Sequence, residues 1–178
     1  MNDHETKNGE YERLAREHLR IVAEGDFDAI EENVTDDYFN VRSADEPLES
    51  RRLGPAGLRV TIEWLHRAFT DLRFEIHDVI VSGTRVAIRA TMHGRQHGSF
   101  VVYDSPDGYV TDVFPSNGRS MSVFHTHWFR IANGKVCEHD AVRDDLGMAK
   151  QLGWLPPTPG YIVRMLLDRR RARRASKQ

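Results

Sequence analysis

The sequence predicts an α+β domain in which helices from the N-terminal half pack on a twisted antiparallel sheet. Two observations carry this. Apolar residues recur at three- and four-residue steps as far as Phe69 and in twos after Asp71, and Asn133-Gly134 splits two long alternating runs, the strongest hairpin signal in the chain. Helices followed by strands form a segregated order, unlike the alternation that builds a parallel sheet.

The first helix is marked by Tyr11, Leu14, Ala15, His18, Leu19 and Val22, with charged residues off that stripe. Gly25 ends it, and Asp26 can cap a short second helix carrying Phe27, Ile30 and Val34. Asp36 to Val41 reads as extended, with Tyr38 and Asn40 on one side. A polar loop runs from Arg42 to Gly54. Pro55 suits the first position of a third helix, whose apolar face is Leu58, Ile62, Leu65 and Phe69. Leu72, Phe74 and Ile76 then begin the strands. Ser82-Gly83 makes a turn, Arg85 to His93 and Ser99 to Tyr103 alternate, and Asp104 to Gly118 is a long loop read as a lid or an ordered flap. Arg119 to Ala132 and Lys135 to Arg143 are the two long strands, and a helix at Asp145 to Leu152 follows.

The chain has 178 residues, 39% hydrophobic and 29% charged. That length buries a core without disulfides, and one cysteine, Cys137, forms no internal bridge. The expected division is a flexible N-terminus at 1–9, one domain at 10–155 and an extension at 156–178. No run reaches a membrane span and the first five residues lack a secretory pattern, so the expected compartment is the cytoplasm. Net charge is −2, but the last ten residues hold six Lys and Arg, leaving −8 for residues 1–168. The basic tail reads as a solvated helical extension or a tether to the acidic body. Without interleaved aromatics it implies neither a nucleic-acid nor a membrane partner.

The run Phe129-Arg130-Ile131-Ala132-Asn133-Gly134-Lys135-Val136-Cys137-Glu138-His139, followed by Asp145-Leu146-Gly147 and Gln151-Leu152-Gly153, resembles the C-terminal signature of SnoaL-like polyketide cyclases of the nuclear transport factor 2-like superfamily. The similarity continues upstream through Gly25-Asp26, Phe69-Thr70-Asp71-Leu72, Arg85 to Arg89 and Gly94 to Phe100. The resemblance implies a cone of three helices on a curved sheet, a homodimer or homotetramer, a ligand cavity inside the cone and no cofactor. It also implies a polyketide-like small-molecule ligand and ring closure by an intramolecular aldol reaction, in which an acidic side chain moves a proton and a polar group stabilises the enolate.

Two positions depart from the family pattern. Where members commonly read E-H-W-D, this chain has Glu138, His139, Asp140 and Ala141, so the carboxylate comes one residue early. Where they read G-T-H-x-G it has Gly94-Arg95-Gln96-His97-Gly98, which makes Gln96 a substrate-binding candidate. A two-residue turn at Asn133-Gly134 sets His127 opposite Asp140, whereas a three-residue turn with a glycine bulge sets His127 opposite His139 and Ala141 opposite His125. The bulged register is preferred because the family pairs a pocket histidine, matched by His127, with an acid of the same parity. His127 and His139, assisted by Asp140, are the catalytic candidates.

Substrate contacts are expected from Tyr38, Asn40, Trp64, His125 and Arg143. Met92, Met121 and Phe124 are expected in the core or pocket lining, and Trp128, of opposite parity to His127, at a subunit contact. His125-x-His127 with His139 is a weak zinc or iron spacing, but no carboxylate completes the set and no metal is assigned. Asp144 and Asp145 read as helix caps. Three functions follow in order: a cyclase or isomerase working through an enolate, a non-catalytic binding or dimerisation module of the same fold, and an epoxide hydrolase using Arg89 or Arg143 beside Asp140.

Overall fold

In the computed structural model, which describes residues 3–104 and 107–175, helices cover one face of a five-stranded sheet. Helix α1 (Asp3–Glu24) opens upstream of the expected start at residue 10 and buries Leu14, Ala15, His18, Leu19, Ile21 and Val22. A 3-10 turn (Phe27–Ala29) and the single-turn helix α2 (Ile30–Asn33) lead into β1 (Val34–Asn40). Two further 3-10 turns (Ser43–Asp45 and Leu48–Arg51) fill the loop before α3 (Pro55–Ala68), which has proline in its first turn as expected.

The strands follow as β2 (Phe69–Ser82), β3 (Arg85–Gln96), β4 (Phe100–Tyr103), β5 (Val110–Phe114), β6 (Ser120–Ala132) and β7 (Lys135–Arg143). The main sheet has the order β1-β7-β6-β3-β2, and β4 pairs with β5 in a separate hairpin. The loop expected at 104–118 therefore contains a strand. The sheet is also not wholly antiparallel, because β1 runs parallel to β7 along its edge. Such a pairing joins segments about a hundred residues apart and leaves no short-range signal.

Helix α4 (Asp145–Gln151) matches expectation, and Asp144 caps it by accepting the Gly147 N–H at 2.8 Å. Helix α5 (Pro159–Ala175) carries most of the basic tail across the β4–β5 hairpin, where Arg173 Nε donates to Val110 O at 2.8 Å. Lys177 lies outside the described residues. No described helix is long and apolar enough to cross a membrane.

One core cluster joins α1, β1, α3 and the inner face of β3, β6 and β7, and includes Leu19, Ile30, Leu58, Ile62, Ile88 and Phe129. A second surrounds Trp64, Phe69, Phe100, Leu152 and Trp154. Gln96 belongs to this second packing region. It is fully buried, its Nε2 donates to Gly98 O and Phe114 O, and its Oε1 accepts the Trp154 indole N–H at 3.1 Å. Its amide is thus occupied, and Gln96, expected at the substrate, lies outside the hollow described below.

Candidate functional site

Turn chemistry and one extra residue decide which side chains of β7 face inward. Asn133 and Gly134 both have positive φ, 52° and 71°, as a two-residue turn between twisted strands requires, and Ala132 pairs with Lys135. The preferred three-residue turn is thus corrected. A bulge follows instead at Cys137, because Ile131 pairs with Val136 while Arg130 pairs with Glu138. Beyond it, His127 is opposite Ala141, Trp128 opposite Asp140, and Phe129 opposite His139. The extra residue turns the strand over, so His139 faces inward and Asp140 outward.

His127 and His139 consequently meet on a diagonal of the inner face. His127 Nδ1 lies 3.0 Å from His139 Nε2, one of the two nitrogens carrying the shared proton, and their ring planes are within 13° of parallel. Asp140 is not part of this pair. Its Oδ1 accepts the Ala141 backbone N–H at 2.8 Å, and its strand partner Trp128 is 49% exposed on the outer face. Phe124, also on the outer face, is exposed rather than packed in the core.

Two more imidazoles complete the cluster. The His125 and His127 ring centroids are 5.4 Å apart, as alternate residues of one strand face. His18 approaches from α1, with its centroid 5.2 Å from that of His139. The Asn33 amide donates from Nδ2 to Leu14 O at 3.1 Å, which leaves its Oδ1 to accept the His18 Nδ1–H at 2.9 Å. His18 Nε2 is then bare and faces the Tyr38 hydroxyl at 3.4 Å.

These groups line a hollow of about 70 Å³ between α1, α3 and the sheet. Of the residues expected at a site, Tyr38, Asn40, Trp64, His125, His127, His139 and Arg143 line it, and Met92 joins them. The Trp64 indole N–H is spent on Val101 O at 2.8 Å, so its ring offers the cavity only an apolar edge. Arg143 sits at the rim between Asp45 (3.6 Å) and Asp145 (3.3 Å).

Four polar lining residues were not anticipated: His18, Arg42, Glu46 and Thr61. His18 had a legible signal, a polar side chain on the apolar stripe of a helix. The others had none, because Arg42 and Glu46 lie in what reads as a polar loop and Thr61 is an ordinary helix residue.

Burial governs the protonation of the cluster. It lowers His18 to about 4 despite the Asn33 bond, and lowers His125 to about 4 with help from the nearby Arg143 charge. His127 and His139 are held well below 6.5, first by burial and then by the neighbouring imidazoles and Arg143. At neutral pH the four rings are therefore uncharged. His127 is only 3% exposed, and its Nε2 has no hydrogen-bond partner among the protein atoms. Among the described residues, no three His, Cys, Asp or Glu side chains are arranged to hold a metal ion.

The family model for SnoaL-like polyketide cyclases matches residues 12–152. Two relatives are aklanonic acid methyl ester cyclases, DauD of Streptomyces sp. (strain C5) and DnrD of Streptomyces peucetius. Each is 28% identical over 147 residues, covering 82% of this chain and 83% or 92% of the relative. Among solved structures, TsrD from Streptomyces laurentii is 26% identical and superposes with a TM-score of 0.65, covering 83% of this chain and 97% of its own.

Proposed function

The chain belongs to the SnoaL-like polyketide cyclase family, and from that premise we propose that it closes a ring in a hydrophobic polyketide-type ester through an enolate, with His127 as the group that moves the proton. The observation that carries this reading is the unpartnered Nε2 of His127, buried in the hollow while Nδ1 of the same ring is bonded to His139. A buried ring nitrogen without a partner is costly, and a ligand proton restores the missing bond.

In this reaction His127 Nε2 takes a proton from a carbon flanked by carbonyl groups. The resulting enolate carbon attacks a second carbonyl of the same molecule, a carbon–carbon bond forms, and the carbonyl π bond becomes an alkoxide that is then protonated. The neutral ring is the form able to accept the first proton, and its weakly held proton is readily returned. The Arg143 guanidinium at the rim offers charge to the developing oxyanion. His139 positions the ring of His127 through the Nδ1 bond.

A hollow of about 70 Å³ receives the reacting end of such a ligand. The remainder extends past the rim at Arg42 and Arg143. On the outer sheet face, where Phe124, Trp128 and Val142 are exposed, this reading has a second copy of the chain as cover.

A second reading, a binding module without turnover, is favoured by one observation: Ala141, not an acid, stands opposite His127. Incubation with aklanonic acid methyl ester, the compound in the two relatives' names, separates the readings. Ring closure by the wild type, reduced at least about hundredfold in kcat by His127→Ala, supports the cyclase. Binding with no conversion supports the module.

A further inference from the structure

Glu46 lies between β1 and α3, in the segment that composition marks only as a loop. Its side chain is 3% exposed and lines the hollow, and among the described lining residues it is the sole carboxylic acid. Asn40 Nδ2 donates to its Oε1 at 3.1 Å, and the Thr61 hydroxyl donates to its Oε2.

The segment is built to press that side chain inward. Gly54 has φ 77° and donates its N–H to Tyr38 O at 2.9 Å, and a Cβ placed there would sit 2.5 Å from Asp36 O. A Cβ on Gly57 would come within 2.0 Å of Arg52 O. A larger residue at Gly54 would clash with β1, and one at Gly57 with the loop backbone that carries Glu46. An anchor for this loop needs only two acceptor atoms, which an amide and a backbone carbonyl supply without the cost of burying an acid.

We propose that Glu46 is the second acid–base group of the hollow, protonating the alkoxide formed when the enolate attacks and later recovering that proton from His127. The inference rests on the ring-closure reading above. The balance is closed: the carbon-bound proton goes to His127 Nε2, the new carbon–carbon bond uses the enolate electron pair, and the carbonyl π pair becomes the alkoxide. The carboxyl O–H neutralises that alkoxide, and transfer from the imidazolium to the carboxylate restores both groups. Burial raises the Glu46 carboxyl above its ordinary range, against the opposing Thr61 bond and Arg143 charge, and so favours the protonated form the step requires. The charged and titratable groups that share the hollow with it are His18 on α1, Tyr38 on β1, Arg42 in its own loop, His125 and His127 on β6, and His139 and Arg143 on β7, with Asp45 paired to Arg143.

Steady-state kinetics and melting of wild type, Glu46→Gln and His127→Asn test this with aklanonic acid methyl ester. Glu46→Gln is expected to melt no lower than wild type, to keep KM within about threefold, and to lose at least about hundredfold in kcat. It is also expected to lose one limb of the kcat pH profile, while His127→Asn loses the other. Glu46→Gln with wild-type kcat and both limbs overturns the assignment and leaves the cyclase standing. A kcat loss that only tracks a lowered melting temperature overturns it too, in favour of a loop anchor. A wild type that converts none of the ester overturns the ring-closure reading and this inference with it.

Discussion

His127 and His139 share a proton across 3.0 Å although they are not cross-strand partners. The contact exists because the residue inserted at Cys137 offsets β7 by one position, so that each imidazole stands over its neighbour's inner-face position. The same offset removes Asp140 from the cavity. A one-residue offset in the strand thus decides whether the carboxylate faces the hollow.

That geometry separates the two residues experimentally. Asp140→Asn is expected to leave kcat and KM on the ester within about threefold of wild type, because its carboxylate accepts the neighbouring Ala141 N–H and does not line the hollow. His139→Phe, which keeps the ring and deletes the acceptor and donor nitrogens, is expected to lower kcat about tenfold or more with KM little changed, as befits a residue acting through His127. Steady-state assays of the two variants side by side check this, and a large loss in Asp140→Asn would return the acid to the mechanism.

The extent to which the site could be read in advance follows from the range of the forces involved. The hairpin turn was legible because positive φ at Asn133-Gly134 is a local property of those two residues. The inward pairing of His127 with His139 was reached through the wrong register. The two-residue turn and the bulge are separate features, and the bulge falls at buried Cys137, whose thiol donates to Arg130 O at 3.3 Å. The parallel edge pairing of β1, which brings Asn40 beside His139, is a long-range contact with no local pattern. Glu46 was hidden for the same reason, since its burial depends on β1 and α3 together. His18 alone carried a signal that went unused.

Asn33 is the residue on which the His18 orientation depends, since it satisfies both Leu14 O and His18 Nδ1 in the interior. Asn33→Leu has similar bulk and supplies neither bond, leaving the buried His18 Nδ1–H without a partner, while Leu14 O keeps its bond within α1. Such a group costs about 1–3 kcal/mol, and a loss of that size in unfolding free energy is expected from urea titration. The change should also free the His18 ring to rotate, which appears as a shifted His18 Nε2 resonance in nitrogen-15 spectra. Unaltered stability would mean that the Asn33 bonds are replaced by water and that the ring is held by packing alone.

Acid sensitivity follows from the four buried imidazoles. His18 and His125 titrate near pH 4 in the folded chain against 6.5 when unfolded, and His127 and His139 are depressed in the same direction. Below pH 6.5 the unfolded chain binds protons that the folded chain refuses, so stability falls as pH drops from about 6.5 towards 4. Each histidine contributes a slope of up to about 1.4 kcal/mol per pH unit in that window. Glu46 acts oppositely: its raised carboxyl keeps a proton that the unfolded chain has released, so its contribution is present at low pH and is lost as pH rises through its folded value. One group of that sign cannot offset four of the other. Two half-buried carboxylates paired with Arg20, Glu17 and Asp26, are lowered by its guanidinium from the ordinary carboxylate range, away from the upper part of the window. Urea unfolding at pH 7.0, 6.0 and 5.0 should therefore show a steady loss of stability, and His125→Gln should reduce the slope by about the share of one histidine. A wild-type profile that is flat between pH 7 and 5 would show that these rings are already reached by water and protonated in the folded state.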